Sequence, residues 1–215
     1  MVLRTVVLVF TVTAAAFAAS ALAAGDSTLD AKRRAQLDGG SVAERTAVLA
    51  WLAEHGTPPD TAAVVPRLQD GEGRIRELAE TTLWAMWLRS GDTQVDAWMA
   101  EGNALLSQGQ MDAAIADYTR IIERLPEFAE GYNKRATAFY LRGDFEASLK
   151  DIASVIKFNS SHFGALSGAG LCLVKLGRME EALFYFDRAL AVNPNMDGIK
   201  AMAEALRSSI PHGRA

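Results

Sequence analysis

VDAWMAEGNALLSQGQMDAAIADYTRIIERLPEF, residues Val95–Phe128, is followed without a gap by AEGYNKRATAFYLRGDFEASLKDIASVIKFNSSH (Ala129–His162) and FGALSGAGLCLVKLGRMEEALFYFDRALAVNPNM (Phe163–Met196). The three blocks align at a fixed period of 34 residues. Each carries a Gly at the same place (Gly109, Gly143, Gly177) and an apolar residue two positions on (Met111, Phe145, Met179). A small residue follows three positions later (Ala114, Ser148, Ala182). The pattern reads as two helices per block, the first closed by the Gly. A period of this size marks stacked units that cannot bury their apolar faces alone. Such stacks offer a long concave surface to another molecule, so binding rather than catalysis is the expected role.

The spacing within each block explains how the helices meet. Small residues fall where the two helices cross: Gly102 with Ala114, Ala136 with Ser148, Gly170 with Ala182. A large side chain there would force the helices apart, at a cost of roughly 1–3 kcal/mol. Leu105, Tyr118, Phe139, Ile152, Leu173 and Phe186 are expected to fill the space on either side. Pro126 and Pro194 end second helices by removing a donor and crowding the preceding turn. The middle block has Ser160 at the equivalent place, and its Ser148 hydroxyl is expected to bond back to a carbonyl of its own helix.

On these residues Val95–Met196 resembles three tetratricopeptide repeats. Trp98, Gly102, Leu105, Gly109, Met111, Ala114, Tyr118 and Pro126 stand where the family places Trp, Gly, Tyr, Gly, Tyr, Ala, Phe and Pro. The resemblance implies an all-α, right-handed α-α superhelix whose first helices line the concave face. Carried over position by position, the groove would comprise Met99, Asn103, Leu106 and Ser107, then Asn133, Lys134, Thr137 and Tyr140, then Ser167, Leu171 and Lys175. This mixed amide, hydroxyl and apolar lining suits a neutral peptide or protein segment. One subset of the family clamps terminal carboxylates of cytosolic chaperones with Lys and Asn. Asn103 fits that clamp, but Met99, Gly164 and Gly168 stand where it needs basic residues, so the clamp is not expected here. Ile199, Met202, Leu206 and Ile210 continue at helical spacing as a capping helix over 197–210, with Pro211–Ala215 frayed.

Upstream, Ser41-Val-Ala-Glu44 has the capping-box pattern, and Val42, Val48, Leu49 and Leu52 give the following helix an apolar face. Gly56 ends it and Pro58-Pro59 turns the chain. Ile75, Leu78, Ala79, Thr82, Leu83 and Met86 then recur at helical spacing. With Pro66, Asp70 and Arg76, the stretch 41–91 resembles a HEAT repeat, which implies an Asp70–Arg76 pair. Trp84, Trp87 and Trp98 are expected to form a hydrophobic seam between this segment and the first repeat. Residues 24–40 are polar and read as a flexible or weakly helical lead-in.

The chain begins with an export-type pattern: Arg4, an apolar run from Thr5 to Ala19, and the small-x-small site Ala21-Leu22-Ala23. The expectation is a leader over 1–23 and an exported protein; a membrane tether retaining 1–24 is the rival, since only then would the chain meet a bilayer. Arg outnumbers Lys 16 to 6, which points to a GC-rich bacterial genome and hence a periplasm. A formal charge of −4 over 215 residues provides no footprint for nucleic acid.

No catalytic constellation is apparent, and neither metal nor cofactor is expected. His55, His162 and His212 are scattered, with His162 at a repeat junction. Asp70-Gly-Glu-Gly-Arg lacks the oxygen ligands of a calcium loop, because Arg74 stands where one is needed. Gly164-Ala-Leu-Ser-Gly168-Ala-Gly170 has no strand before it, so these are small residues on a packed helix rather than a nucleotide turn. The single cysteine, Cys172, is expected to be a buried thiol. A small-ligand site at the Trp-rich junction is the remaining alternative.

Overall fold

The computed structural model describes residues 29–209, so the leader pattern and Ile210–Ala215 lie outside the described residues. No described residue is in a strand. Eleven helices follow one another: α1 Ala31–Gly39, α2 Val42–His55, α3 Thr61–Val64, α4 Gly73–Trp87, α5 Thr93–Ser107, α6 Met111–Arg124, α7 Ala129–Arg142, α8 Phe145–Phe158, α9 Phe163–Lys175, α10 Met179–Val192 and α11 Asp197–Ser209. No helix among them is long and apolar enough to cross a membrane.

The second helices α6, α8 and α10 begin and end at the same repeat positions. Gly109, Gly143 and Gly177 carry φ of 77°, 96° and 74°, a left-handed conformation that lets the chain turn back after each first helix. Where helices cross, a Cβ on Gly102 would meet the Tyr118 ring at 2.7 Å. The Ser148 hydroxyl does not serve its own helix. It donates to the Ala136 carbonyl of α7 at 2.8 Å, so a polar bond joins the pair where the other repeats rely on a bare glycine. The corner lacking Pro is turned by Asn159, whose side chain accepts from the Ser161 amide, and α8 ends in register.

The capping helix α11 buries Ala203, with Ile199 and Leu206 packed beside it, whereas Met202 faces outward at 46 % exposure. Spacing placed Met202 on the apolar stripe, but the small Ala203 allows the closer approach.

The N-terminal helices share one core around Leu37, Leu49, Leu52, Leu68, Ile75 and Leu83. The lead-in, expected to be flexible or weakly helical, forms a helix from Ala31. Asp30 caps it by accepting from the Arg33 amide, and Leu37 is fully buried. Arginines satisfy the last carbonyls of these short helices: Arg67 donates to the Leu37 carbonyl at 3.0 Å, and Arg89 donates to those of Ala53 and Gly56. Ser41 and Glu44 form the expected capping box, though Val42 is exposed. The Asp70–Arg76 pair is not formed side chain to side chain. The Asp70 carboxylate holds Arg45 at 3.2 Å, while Arg76 donates to the Asp70 carbonyl and to Asn195 Oδ1.

That last contact fixes where the N-terminal helices lie. Along α4, Arg76 meets Asn195 and Glu80 accepts from Asn193, both at the end of the third repeat. Trp84 and Trp87 meet His162 and Phe163 at the end of the second. Just beyond α4, Asp92 pairs with Arg124 at the end of the first. Helix α4 thus runs back along the edge where second helices turn into first helices, tying three corners together. The seam is therefore displaced from the junction expected by sequence proximity. Trp98 takes no part in it and packs in the first repeat under Arg120, 4.3 Å from its ring.

Candidate functional site: a groove between the second and third repeats

Helices α7 and α9 are first helices of adjacent repeats, and a cavity of about 210 Å³ opens between them. Asn133, Thr137 and Tyr140 line it from α7, and Gly164, Ser167, Gly168 and Leu171 from α9. Ala136, Ser148, Ile152, Ala165 and Cys172 form its floor. The cavity exists because α9 offers so little side chain. A Cβ on Gly168 would make only an ordinary contact, 3.6 Å from Ile152 Cδ1. Two turns of the helix therefore present bare backbone or hydroxyl where Leu or Tyr would close the gap.

Of the groove residues expected from sequence, Asn133, Thr137, Tyr140, Ser167 and Leu171 come together here. The others are placed elsewhere. Met99 and Leu106 belong to the apolar cluster of the first repeat. Asn103 Oδ1 accepts from the Tyr118 hydroxyl at 2.9 Å, and Ser107 donates to the Ala104 carbonyl. Lys134 is half-buried and 3.7 Å from Glu130, while Lys175 is exposed. Position transfer marked Gly164 and Gly168 only as unfilled clamp positions and gave Ala136, Ser148 and Ile152 packing roles, because a pocket made by missing side chains leaves no residue type to search for.

At its start α9 meets the N-terminal segment. A Cβ on Gly164 would lie 2.7 Å from Trp84 Cη2, so the indole occupies the space this glycine leaves. Behind it stands a buried polar cluster. Glu130 and His162 are 1 % and 0 % exposed, and their carboxylate and ring nitrogen are 3.1 Å apart. His162 Nδ1 accepts from the Ala165 amide, capping α9, so the ring proton lies on Nε2 and is donated to Glu130. Trp87 stacks on the same ring at 4.5 Å. Burial raises the Glu130 carboxyl, but the His162 hydrogen bond, with Lys134 and Asn133, outweighs it and leaves the pKa lowered.

Cys172 is buried and bonded to the Ser148 hydroxyl, and burial pushes its thiol up. Burial, then the neighbouring Cys172, also raises Tyr140, so its hydroxyl keeps its proton at neutral pH. Among the described residues no His, Cys, Asp and Glu group could hold a metal ion.

Comparison with known sequences agrees with the geometry. Tetratricopeptide repeat profiles match residues 99–161 and 165–196. These residues of the chain are tetratricopeptide repeats. The chain is 30 % identical over 108 residues to a TPR repeat-containing protein of Rhizobium etli, covering 50 % of this chain and 53 % of that one. DnaJ homolog subfamily C member 3 of Homo sapiens is 28 % identical over 54 % of this chain and 23 % of its own length. The TPR match thus spans about half the length of the first relative and less of the second.

Among solved structures, the first TPR of Spaghetti (RPAP3), bound to the HSP90 peptide SRMEEVD, superposes with a TM-score of 0.53 at 25 % identity. It covers 55 % of this chain and 94 % of that one. The Arabidopsis OM64 TPR domain gives 0.52 at 26 % identity, covering 54 % and 96 %. Both likenesses reach only about half of this chain.

Proposed function

We propose that this protein is a non-catalytic adaptor that holds a segment of a partner protein in the groove between α7 and α9. The observation that carries the reading is the cavity of about 210 Å³ between two TPR first helices, with an apolar floor and a polar rim. Peptide occupancy of a similar fold in the RPAP3 complex supports it. The N-terminal helices, which we take as a HEAT-like repeat, brace the array along its corners. The leader pattern Met1–Ala23 supports an adaptor that works outside the cytoplasm, in the cell envelope. The N-terminal mass of protein recovered from envelope fractions tests that part separately.

A photo-crosslinking residue at Thr137, on the groove rim, should capture a defined partner from envelope extract. The same residue at Lys150, exposed on α8, should not. Equal capture from both positions would remove the groove from the reading.

A further inference from the structure

The two ends of the repeat array are finished differently. Three positions on a first helix form the seat for the second helix of the repeat before it. On α7 they are Gly131, Arg135 and Ala138, and α6 lies over them. A Cβ on Gly131 would stand 2.9 Å from Ile121 and 3.3 Å from Ile122, and Arg135 Nη1 donates to Thr119 Oγ1 at 3.0 Å. Ala138 is buried in the cluster that includes Ile115. On α9 the same positions are Ala165, Ala169 and Cys172, buried in the cluster that takes Leu149 and Ile156 from α8. On α5 they are Ala97, Glu101 and Ala104, and all three are exposed. Helix α4 does not cover them, because it runs along the corners. At the far end, α11 covers α10 through Ala203.

The exposed seat is also acidic. In the second repeat the Arg135 guanidinium holds both oxygens of Asp151, at 2.7 and 2.8 Å. One period earlier the carboxylate recurs as Asp117, but Glu101 replaces the arginine. Asp117 is only 7 % exposed. Its Oδ1 accepts from Arg120, and its Oδ2 has no hydrogen-bond partner among the described residues. A buried carboxylate oxygen left without a donor is costly, and an arriving donor recovers that cost. The nearby cations are engaged: Arg120 lies over Trp98, and Arg124 pairs with Asp92.

We propose that the α5 end of the array docks a basic amphipathic helix of a partner protein, laid on Ala97, Glu101 and Ala104 as α6 lies on α7. The helices that fill the other two seats give its pattern. Ile115, Thr119 and Ile122, then Leu149, Ala153 and Ile156, put apolar residues at i and i+7 with a smaller one at i+4. Thr119 touches the Arg135 guanidinium, so the i+4 residue of the docked helix faces Glu101, with Asp117 behind it. Lys or Arg is the residue whose charge matches that place. Ala97 and Ala104 admit the two apolar residues at close approach. This surface is separate from the groove between α7 and α9, which lets one adaptor hold two partner segments at once.

The probe is the α6 segment itself, residues 111–125, as an acetylated, amidated peptide carrying Thr119→Lys, with a Thr119→Glu counterpart. Titrated against the full chain, the Lys peptide should bind about tenfold more tightly than the Glu peptide. Ala97→Trp, a change at an exposed position, should abolish that binding. Glu101→Arg should reverse the preference between the peptides. Without any peptide it should also raise the thermal midpoint, because it rebuilds the pair that Arg135 makes with Asp151. Gly168→Leu, which fills the groove, should leave the Lys peptide bound. Equal binding of the two peptides, or binding indifferent to Ala97→Trp, overturns the proposal. Loss of binding in Gly168→Leu but not in Ala97→Trp also overturns it, while the groove reading stands. Dimerisation of the free chain that Ala97→Trp abolishes would assign the seat to a second copy and overturn the partner helix.

Discussion

Helix α9 serves two regions that use the same residue type in opposite ways. At its start, Gly164 makes room for the Trp84 ring, and the space is filled by the N-terminal segment. One turn later Gly168 faces the groove and its space is left open. Gly170, on another face, lets α9 lie against the Phe186 ring of α10. The seam around Gly164 is dense and aromatic and buries a charge; the groove around Gly168 is open and rimmed by Asn133, Thr137, Tyr140 and Ser167. A missing side chain is thus stabilising where a neighbour supplies the volume, and becomes a binding site where none does.

Three substitutions sharpen this contrast, in decreasing order of effect. Glu130→Gln places an amide among the donors of His162, Asn133 and Lys134 and breaks the buried cluster behind the seam. The expected cost is about 3–5 kcal/mol in urea unfolding. The pH dependence should change with it. The folded-state pKa of Glu130 lies below the ordinary value of 4.5, so its contribution is complete above that pH and is lost as pH falls through the lowered value. Glu130→Gln should remove this part of the acid destabilisation; an unchanged acid profile would mean the cluster does not stabilise the seam.

Gly170→Ala comes next. Its Cβ would intrude on the Phe186 ring, and a loss of about 1–3 kcal/mol is expected, read as a lower midpoint in thermal or urea unfolding. Gly168→Ala is the smallest effect and has the opposite sign. Its Cβ fits, and replacing a mid-helix glycine should stabilise by roughly 0.5–1 kcal/mol while narrowing the pocket. If the two alanines shift the midpoint in the same direction, crossing and groove are not the distinct environments described.

Much of the architecture is legible before any coordinates. The 34-residue period, the turn glycines and the crossing residues fix the repeat boundaries, because they reflect contacts within one helix pair. The Ser41–Glu44 capping box is equally local. The errors share a cause. Trp98 was grouped with Trp84 and Trp87 by nearness along the chain, yet the last two meet His162 and Phe163 some 75 residues further on. The lead-in was judged by its polarity, but a helix that buries only Leu37 between polar residues needs little apolar sequence.

The groove was half visible for a related reason. Asn133, Thr137, Tyr140, Ser167 and Leu171 follow from repeat position, whereas Lys134 could not be known to be paired until Glu130 was found beneath it.

The amino-acid sequence by itself determined the repeat register, the helix ends and the helical class, since each depends on side chains a few residues apart. Only the tertiary structure decided that the N-terminal helices fold back along the corners of the array, and that the small residues of α9 leave a cavity against α7. Those depend on which distant side chains share a space, and a linear pattern carries no record of that.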